Sequence, residues 1–240
     1  MDIIIKAVVE RLIAEYHQLN KELEGSTRAA NHQYKTGIAE NVYTDEYLRN
    51  ALDTAINNAN SYFAGEAAAL NAKARQSVAE LKARLIPALS ASERSSDYAV
   101  KVNNALQFVQ LEGADIDDET AAQILHDFTG DMEIMQRFRN VIERQKGEKL
   151  SDAFGNTTFP LTFGRLYACE RFIEAMAELE GTAEKLFIRG KAETETEFSN
   201  SGKKLSVPMD CYMQLMSERN IVEQAGTVEA MAAELFKVSD

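Results

Sequence analysis

The feature that most constrains the fold is an uninterrupted helical pattern between Thr44 and Pro87. This stretch contains no proline and one glycine, Gly65, and it opens with Asp45 and Glu46. Acidic side chains suit the positive end of a helix dipole, threonine is a good N-cap residue, and proline is expected to end the helix. The 42 residues from position 45 to position 86 would form a helix roughly 60 Å long, at 1.5 Å per residue.

Apolar residues form one stripe along this helix, with a mean spacing of 3.7 residues from position 48 to position 85. That spacing is nearer to an 11-residue repeat than to the heptad, so the stripe predicts a partner helix that runs nearly straight alongside. Either the first helix folds back over part of the stripe, or a second copy of the chain covers it. Since soluble monomers rarely expose so long an apolar surface, we expect a homo-oligomer. The residues predicted for self-association are Leu48, Leu52, Ala55, Ala59, Phe63, Leu70, Ala74, Val78, Leu81 and Leu85.

The rest of the chain is also predicted to be mainly helical, which gives an all-α fold. Residues 1–89 are expected to form an elongated helical arm, and residues 90–240 an acidic globular helical bundle. In residues 193–207 the alternating pattern predicts either a small β-hairpin or a mobile polar loop. Further helices are predicted at residues 3–24, ending at Gly25 and Ser26, at residues 162–188, and from Ser90, Asp117, Asp131, Pro208 and Thr227.

Composition narrows the function classes. With 12 glycines and 3 prolines in 240 residues, the chain has too few turn-forming residues for an all-β fold. The formal net charge is −12, of which residues 1–90 carry −1 and residues 91–240 carry −11. A protein that grips nucleic acid needs clustered basic residues, so a nucleic-acid partner is not expected. The acidic half suits a basic protein partner.

The cellular location is predicted from what the sequence lacks. No apolar run approaches the length of about 20 residues that spans a bilayer, and the first residues do not resemble a signal peptide. Cys169 and Cys211 form no CxxC pair, so buried, reduced thiols are expected. We therefore predict a cytoplasmic protein without a membrane partner.

One dipeptide invites an enzymatic interpretation. The adjacent pair His126–Asp127 resembles the metal-binding centre of the HD phosphohydrolases. That family also needs another upstream histidine and a later aspartate, so that several ligands converge on the metal. The other histidines, His17 and His32, lie far upstream in the predicted arm. We therefore predict no catalytic residue, no metal and no cofactor, and keep an HD-type phosphohydrolase as an alternative.

A second candidate site is the aromatic segment that carries Phe154, Phe159 and Phe163. Aromatic side chains on a loop often anchor a partner protein. They are also among the residues most often buried, so the alternative is that these rings lie beneath the bundle.

The function expected from these features is a non-enzymatic structural, assembly or adaptor protein that acts through helix–helix association. A head-assembly or scaffold-like component of a bacteriophage or prophage would fit this composition. The alternative to the assembly role is an acidic regulatory module, of the inhibitor or immunity type, for a basic partner.

Overall fold

The structure is a computed structural model that describes residues 4–90, 95–151, 157–187 and 209–236, with side chains from residue 214 onward in the last range. The fold is all-α, with a long N-terminal helical arm and a bundle of shorter helices, as predicted. The predicted hairpin or loop at residues 193–207 lies outside the described residues. The described α-helices are α1 (Ile5–Glu40), α2 (Asp45–Leu89), α3 (Tyr98–Glu112), α4 (Asp118–Leu125), α5 (Met132–Lys146), α6 (Pro160–Lys185) and α7 (Met209–Leu235).

The chain forms two compact units, and neither is contiguous in sequence. The arm unit consists of residues 4–79 and 178–227, and the bundle unit consists mainly of residues 80–177 and 228–240. This division differs from the predicted boundary after residue 89, because the end of α6 and the start of α7 belong with the N-terminal helices. Helices α2, α6 and α7 each contribute residues to both units.

The core of the arm unit is built from the chain's own helices. Its aromatic centre is Tyr16, whose ring stacks on Phe187 at a centroid distance of 4.6 Å and tilts against Phe63 at 5.8 Å. The α2 side chains from Phe63 to Val78 that follow the predicted stripe are buried here. The buried apolar side chains of α2 in this unit are Leu48, Phe63, Ala67, Leu70, Ala74 and Val78.

Helix α1 is longer than predicted, because Gly25 and Ser26 do not interrupt it. The helix continues to Glu40 and closes at Asn41, whose φ of 51° is left-handed. Beyond Gly25, Ala30 is buried and Tyr34 and Gly37 are half-buried. Tertiary packing therefore outweighs the low helix propensity of one glycine.

Replacing Gly25 by Ala is expected to raise the free energy of unfolding by about 0.5–1 kcal/mol. A Cβ atom at Gly25 would meet no other atom within 4 Å. Gly37 is the matched control in the same helix, since a Cβ atom there would lie 2.6 Å from Leu48 Cδ2. Urea unfolding checks this, and an equal gain from both substitutions would contradict the close approach at Gly37.

Two other helix ends differ from the prediction. Pro87 lies inside the last turn of α2, which ends at Leu89. A proline within a helix removes one backbone hydrogen bond and crowds the carbonyl four residues earlier, and α2 ends two residues after Pro87. Helix α7 is continuous where two helices were predicted, and the Thr227 hydroxyl donates to the Glu223 carbonyl, 3.0 Å away, instead of capping a helix.

Two helices of the bundle unit, α4 and α5, begin at predicted capping residues, whereas α3 begins at Tyr98 and not at Ser90 as predicted. Asp117 accepts a hydrogen bond from Thr120 N at 2.8 Å, and Asp131 accepts one from Ile134 N at 3.1 Å, which confirms both caps. The Asp118 carboxylate accepts from Leu161 N at 2.9 Å and so fastens the start of α6. The main core of this unit comprises Ala105, Val109, Ile116, Ala121, Leu125, Phe128, Ile134, Met135, Phe138, Ile142, Leu150, Phe159, Phe163, Leu166 and Tyr167.

Candidate functional site: the hairpin end

The outer part of the α1–α2 hairpin, residues 24–62, is called the hairpin end here. The structure describes all of these residues, and within them only Ala30 and Leu48 are buried. Leu52, Ile56 and Ala59 are half-buried along the seam between the two helices. Two paired helices with so little buried apolar area leave much of their surface available for another protein.

Polar contacts fasten the turn of the hairpin. Tyr47 N donates to Thr44 Oγ1 at 3.3 Å, which confirms the predicted cap. The Tyr34 hydroxyl donates to Asp45 at 3.2 Å, and Arg49 pairs with the same carboxylate at 2.9 Å. A hydrogen bond with Tyr34, followed by the charge of Asp45, raises the pKa of Arg49. Of these contacts, the hydrogen bond between Tyr34 and Asp45 joins α1 to α2.

A shallow groove of about 420 Å³ runs along the seam of the hairpin end. Helix α1 and helix α2 both contribute to its walls. On the α2 side, the groove is shallow because Ala51 and Ala55 are small. The half-buried Leu52 also lines this side. The other lining residues are Ala30, His32, Gln33, Tyr34, Thr36, Gly37, Glu40, Tyr43 and Leu48.

Beside the groove, α2 presents an exposed strip that is called the hairpin flank here. The spacing of its residues is four, four, three and four positions, which places them on one side of the helix. A tyrosine lies at each end of the flank, and two alanines and one asparagine lie between them. Its residues are Tyr47, Ala51, Ala55, Asn58 and Tyr62.

Apolar side chains are also exposed at the tip of the hairpin. Ile38, Val42 and Tyr43 are all solvent-exposed. The Tyr43 ring stacks on the Tyr47 ring at a centroid distance of 5.0 Å, so the tip continues directly into the hairpin flank. Exposed apolar side chains that adjoin one another mark interaction sites more often than single ones do.

The hairpin flank is almost free of charge. Between positions 50 and 65 the only charged residue is Asp53. The whole chain has a net charge of −12, of which residues 91–240 carry −11, so two copies repel each other mainly through that part of the chain. An uncharged strip is where two copies meet at the lowest electrostatic cost.

The structure divides the ten residues predicted for self-association into two groups. Those that are buried within the chain are Leu48, Phe63, Leu70, Ala74, Val78, Leu81 and Leu85. Ala55 is exposed, and Leu52 and Ala59 are half-buried. Self-association through this helix stays a prediction, and the part of the stripe open to a second copy is the part within the hairpin end.

Sequence reasoning missed the hairpin flank because it followed the apolar stripe alone. Tyr47, Asn58 and Tyr62 lie to one side of that stripe and contribute nothing to its periodicity. The signal that points to them is the absence of charge around Asp53, in a chain where 27% of residues are charged.

The pair His126–Asp127 has the geometry of an exposed surface contact. His126 Nδ1 lies 3.4 Å from Asp127 Oδ1, and both side chains are largely solvent-exposed. His17 Nε2 instead donates to Glu218 Oε2, 2.8 Å away within the arm unit. In the part of the chain that the structure describes, no group of three His, Cys, Asp or Glu side chains is placed to hold a metal ion.

The aromatic candidates lie in the core of the bundle unit. Phe163 is completely buried in α6, and Phe159 is buried just before it, with Lys146 Nζ 5.4 Å from its ring centroid. Phe154 lies outside the described residues. The two described rings are therefore core side chains and not exposed anchors for a partner.

A polar cluster in the bundle unit serves to fasten helices. Arg139 pairs with Glu170 at 2.7 Å and lies 5.8 Å from the ring centroid of Tyr167. Burial raises the pKa of Tyr167 to about 12. Burial opposes ionisation of Glu143, but hydrogen bonds from Lys149 and Leu150 outweigh it and lower the pKa of that carboxyl.

Comparisons with protein-family models, with curated proteins and with solved structures found no match for this chain. In the described residues, no helix has both the length and the apolar character needed to cross a membrane. We therefore infer function from the surfaces that the helices themselves present.

Proposed function

We propose that this chain is a non-enzymatic assembly protein, and that the hairpin end of one copy binds the hairpin end of another. The observation that carries the proposal is the exposed, nearly uncharged hairpin flank beside a groove in a hairpin with two buried side chains. A second copy supplies a surface of the same kind, which is the requirement for a two-fold symmetric interface.

The flank is self-complementary when two copies of α2 run antiparallel. A two-fold axis between positions 54 and 55 places Ala55 beside Ala55 of the second copy, about 1.5 Å apart along the helix. The same axis sets Tyr47 against Tyr62 of the second copy, and Ala51 against Asn58. Alanine at the centre lets the two helices approach closely, and the tyrosines at both ends supply aromatic contact area with a polar hydroxyl.

The self-association surface predicts a specific mutational result. Ala55→Glu is expected to convert an oligomer into a smaller species, because the new carboxylate enters the groove and faces its symmetry mate across the axis. Ala55 is solvent-exposed in a single copy, so the fold tolerates the change. Sedimentation velocity over a range of protein concentrations measures the shift, which we expect to be at least tenfold in the dissociation constant.

Asn57→Glu is the matched control. It adds the same charge to the same helix, at an exposed position on the side facing away from the groove. An equal effect of both substitutions would attribute the change to net charge alone and overturn the proposal. Leu70 and Leu81 are unsuitable for this test, because both are buried and a glutamate there would unfold the chain.

A further inference from the structure

Helix α3 carries apolar residues on two opposite sides. On one side, Ala105 and Val109 belong to the core of the bundle unit. On the other side, Val100, Phe108 and Leu111 are 61%, 59% and 81% exposed. A helix that covers a core needs only one apolar side, and the exposed side is not part of the core formed by the described residues.

The exposed side of α3 is also nearly uncharged. Between Val100 and Leu111 its remaining side chains are the amides Asn104 and Gln107, both exposed. This surface, called the α3 face here, consists of Val100, Asn104, Gln107, Phe108 and Leu111.

The charges of α3 lie at its two ends and have opposite signs. Lys101 is near the N-terminal end, where it pairs with Asp97 at 3.5 Å. Glu112 is the last residue of the helix. Beyond it, Lys146 Nζ donates to the Ala114 carbonyl at 3.0 Å, which places a positive charge close to the C-terminal end. Each end therefore carries one charge of each sign, and only a reversed helix in the right register sets Lys101 near Glu112 and Asp97 near Lys146 of the second copy.

We propose that the α3 face packs antiparallel against the α3 face of a second copy, about a two-fold axis between Asn104 and Gln107. This arrangement sets Val100 against Leu111 of the second copy, and Asn104 against Gln107. It also brings Lys101 to within about one helical turn of Glu112 of the second copy. A parallel arrangement would instead place identical charges side by side and align the two helix dipoles.

The α3 face and the hairpin flank share no residue, so each can be changed by substitution without the other. One copy with two distinct two-fold interfaces can join two neighbours, which produces chains or closed tetramers where one interface produces only dimers. This consequence for assembly size rests on the proposed function, whereas the pairing of α3 does not.

Four proteins test the inference: the unchanged chain, Ala55→Glu, the double variant Phe108→Gln with Leu111→Gln, and all three changes together. Both α3 positions are exposed, so circular dichroism should show an unchanged fold. Sedimentation equilibrium measures the molar mass against concentration. We expect species larger than a dimer for the unchanged chain, dimers for each single-surface variant, and monomers for the combined variant.

Each surface can fail separately. If Phe108→Gln with Leu111→Gln leaves the mass unchanged while Ala55→Glu reduces it, the α3 pairing is overturned and the proposed function stands. If only the α3 substitutions reduce the mass, the proposed function is overturned and the α3 pairing stands. A monomer at every concentration for the unchanged chain would overturn both. Gln110→Ala, exposed but away from the α3 face, is the control for the helix itself.

A charge exchange tests the antiparallel direction. In the Ala55→Glu background, Lys101→Glu and Glu112→Lys are each expected to weaken the homodimer, because like charges then meet across the axis. An equal mixture of the two variants restores both attractions, so mixed dimers should exceed the statistical proportion in native mass spectrometry. A purely statistical mixture would overturn the antiparallel arrangement.

Discussion

Replacing Asn71 by Asp is expected to lower the free energy of unfolding by about 3–5 kcal/mol. The Asn71 side-chain nitrogen is buried and donates to the carbonyl oxygens of Ala183 at 3.0 Å and Leu186 at 2.6 Å. A third carbonyl, that of Glu184, lies 3.4 Å away. An aspartate of the same size loses every donor and sets a buried negative charge against three carbonyl dipoles. Urea unfolding followed by circular dichroism measures the change.

Asn57→Asp is the control for the Asn71 variant, because it makes the same chemical change at an exposed position of the same helix. Its expected effect on stability is within about 0.5 kcal/mol. Similar unfolding midpoints for the two variants would show that the Asn71 amide contributes little to holding the end of α6.

Replacing Phe163 by Ala is expected to lower the free energy of unfolding by about 3–5 kcal/mol. Its side chain has no solvent exposure, and its ring lies 6.4 Å from that of Phe159 and 6.3 Å from that of Tyr167. Truncation leaves a cavity that these rigid rings cannot fill. Thermal unfolding measures the loss of stability, and adding a partner protein should not change the size of that loss.

Leu161→Ala is the matched control, since Leu161 lies two residues before Phe163 and is 66% exposed. Its expected effect is below about 0.5 kcal/mol. If Phe163→Ala were as harmless as Leu161→Ala, the ring would not be a core side chain, and a partner-binding role for the aromatic segment would regain support.

Features that depend on neighbours in sequence could be predicted. The continuous course of α2 up to Ile86 follows from the lack of proline in that stretch. The caps at Thr44, Asp117 and Asp131 follow from side chains that reach backbone N–H groups three residues ahead. Each of these contacts closes within one turn of helix. The all-α fold is the sum of such local preferences.

Features that depend on distant contacts could not be predicted. Asn71 is an ordinary polar residue in the sequence, and its hydrogen-bond acceptors lie 112 to 115 residues later. Gly25 and Thr227 have the residue types of helix boundaries, yet the helices continue through both. Local signals of this strength, about 1 kcal/mol, yield to packing over several turns.

The candidate site was predicted in part, for the same reason. Periodicity identifies the side of α2 that must be covered but not the helix that covers it. From Phe63 to Val78 the chain covers its own stripe, whereas Ala55 remains exposed. The flank tyrosines, Tyr47 and Tyr62, are outside any apolar period, so charge rather than hydropathy is the pattern that reveals them.

Because each unit is made of segments that are distant in sequence, the choice of fragments for expression is restricted. A fragment that stops at residue 89 would keep α1 and α2 but lose Phe187, which stacks on Tyr16, and the carbonyls that satisfy Asn71. A fragment that starts at residue 90 would lack the α2 residues from Glu80 onward. Neither fragment is expected to fold alone, so deletion mapping would report a loss of stability in place of a loss of binding. Because neither unit is one continuous stretch of sequence, neither can be exchanged between proteins as a single segment.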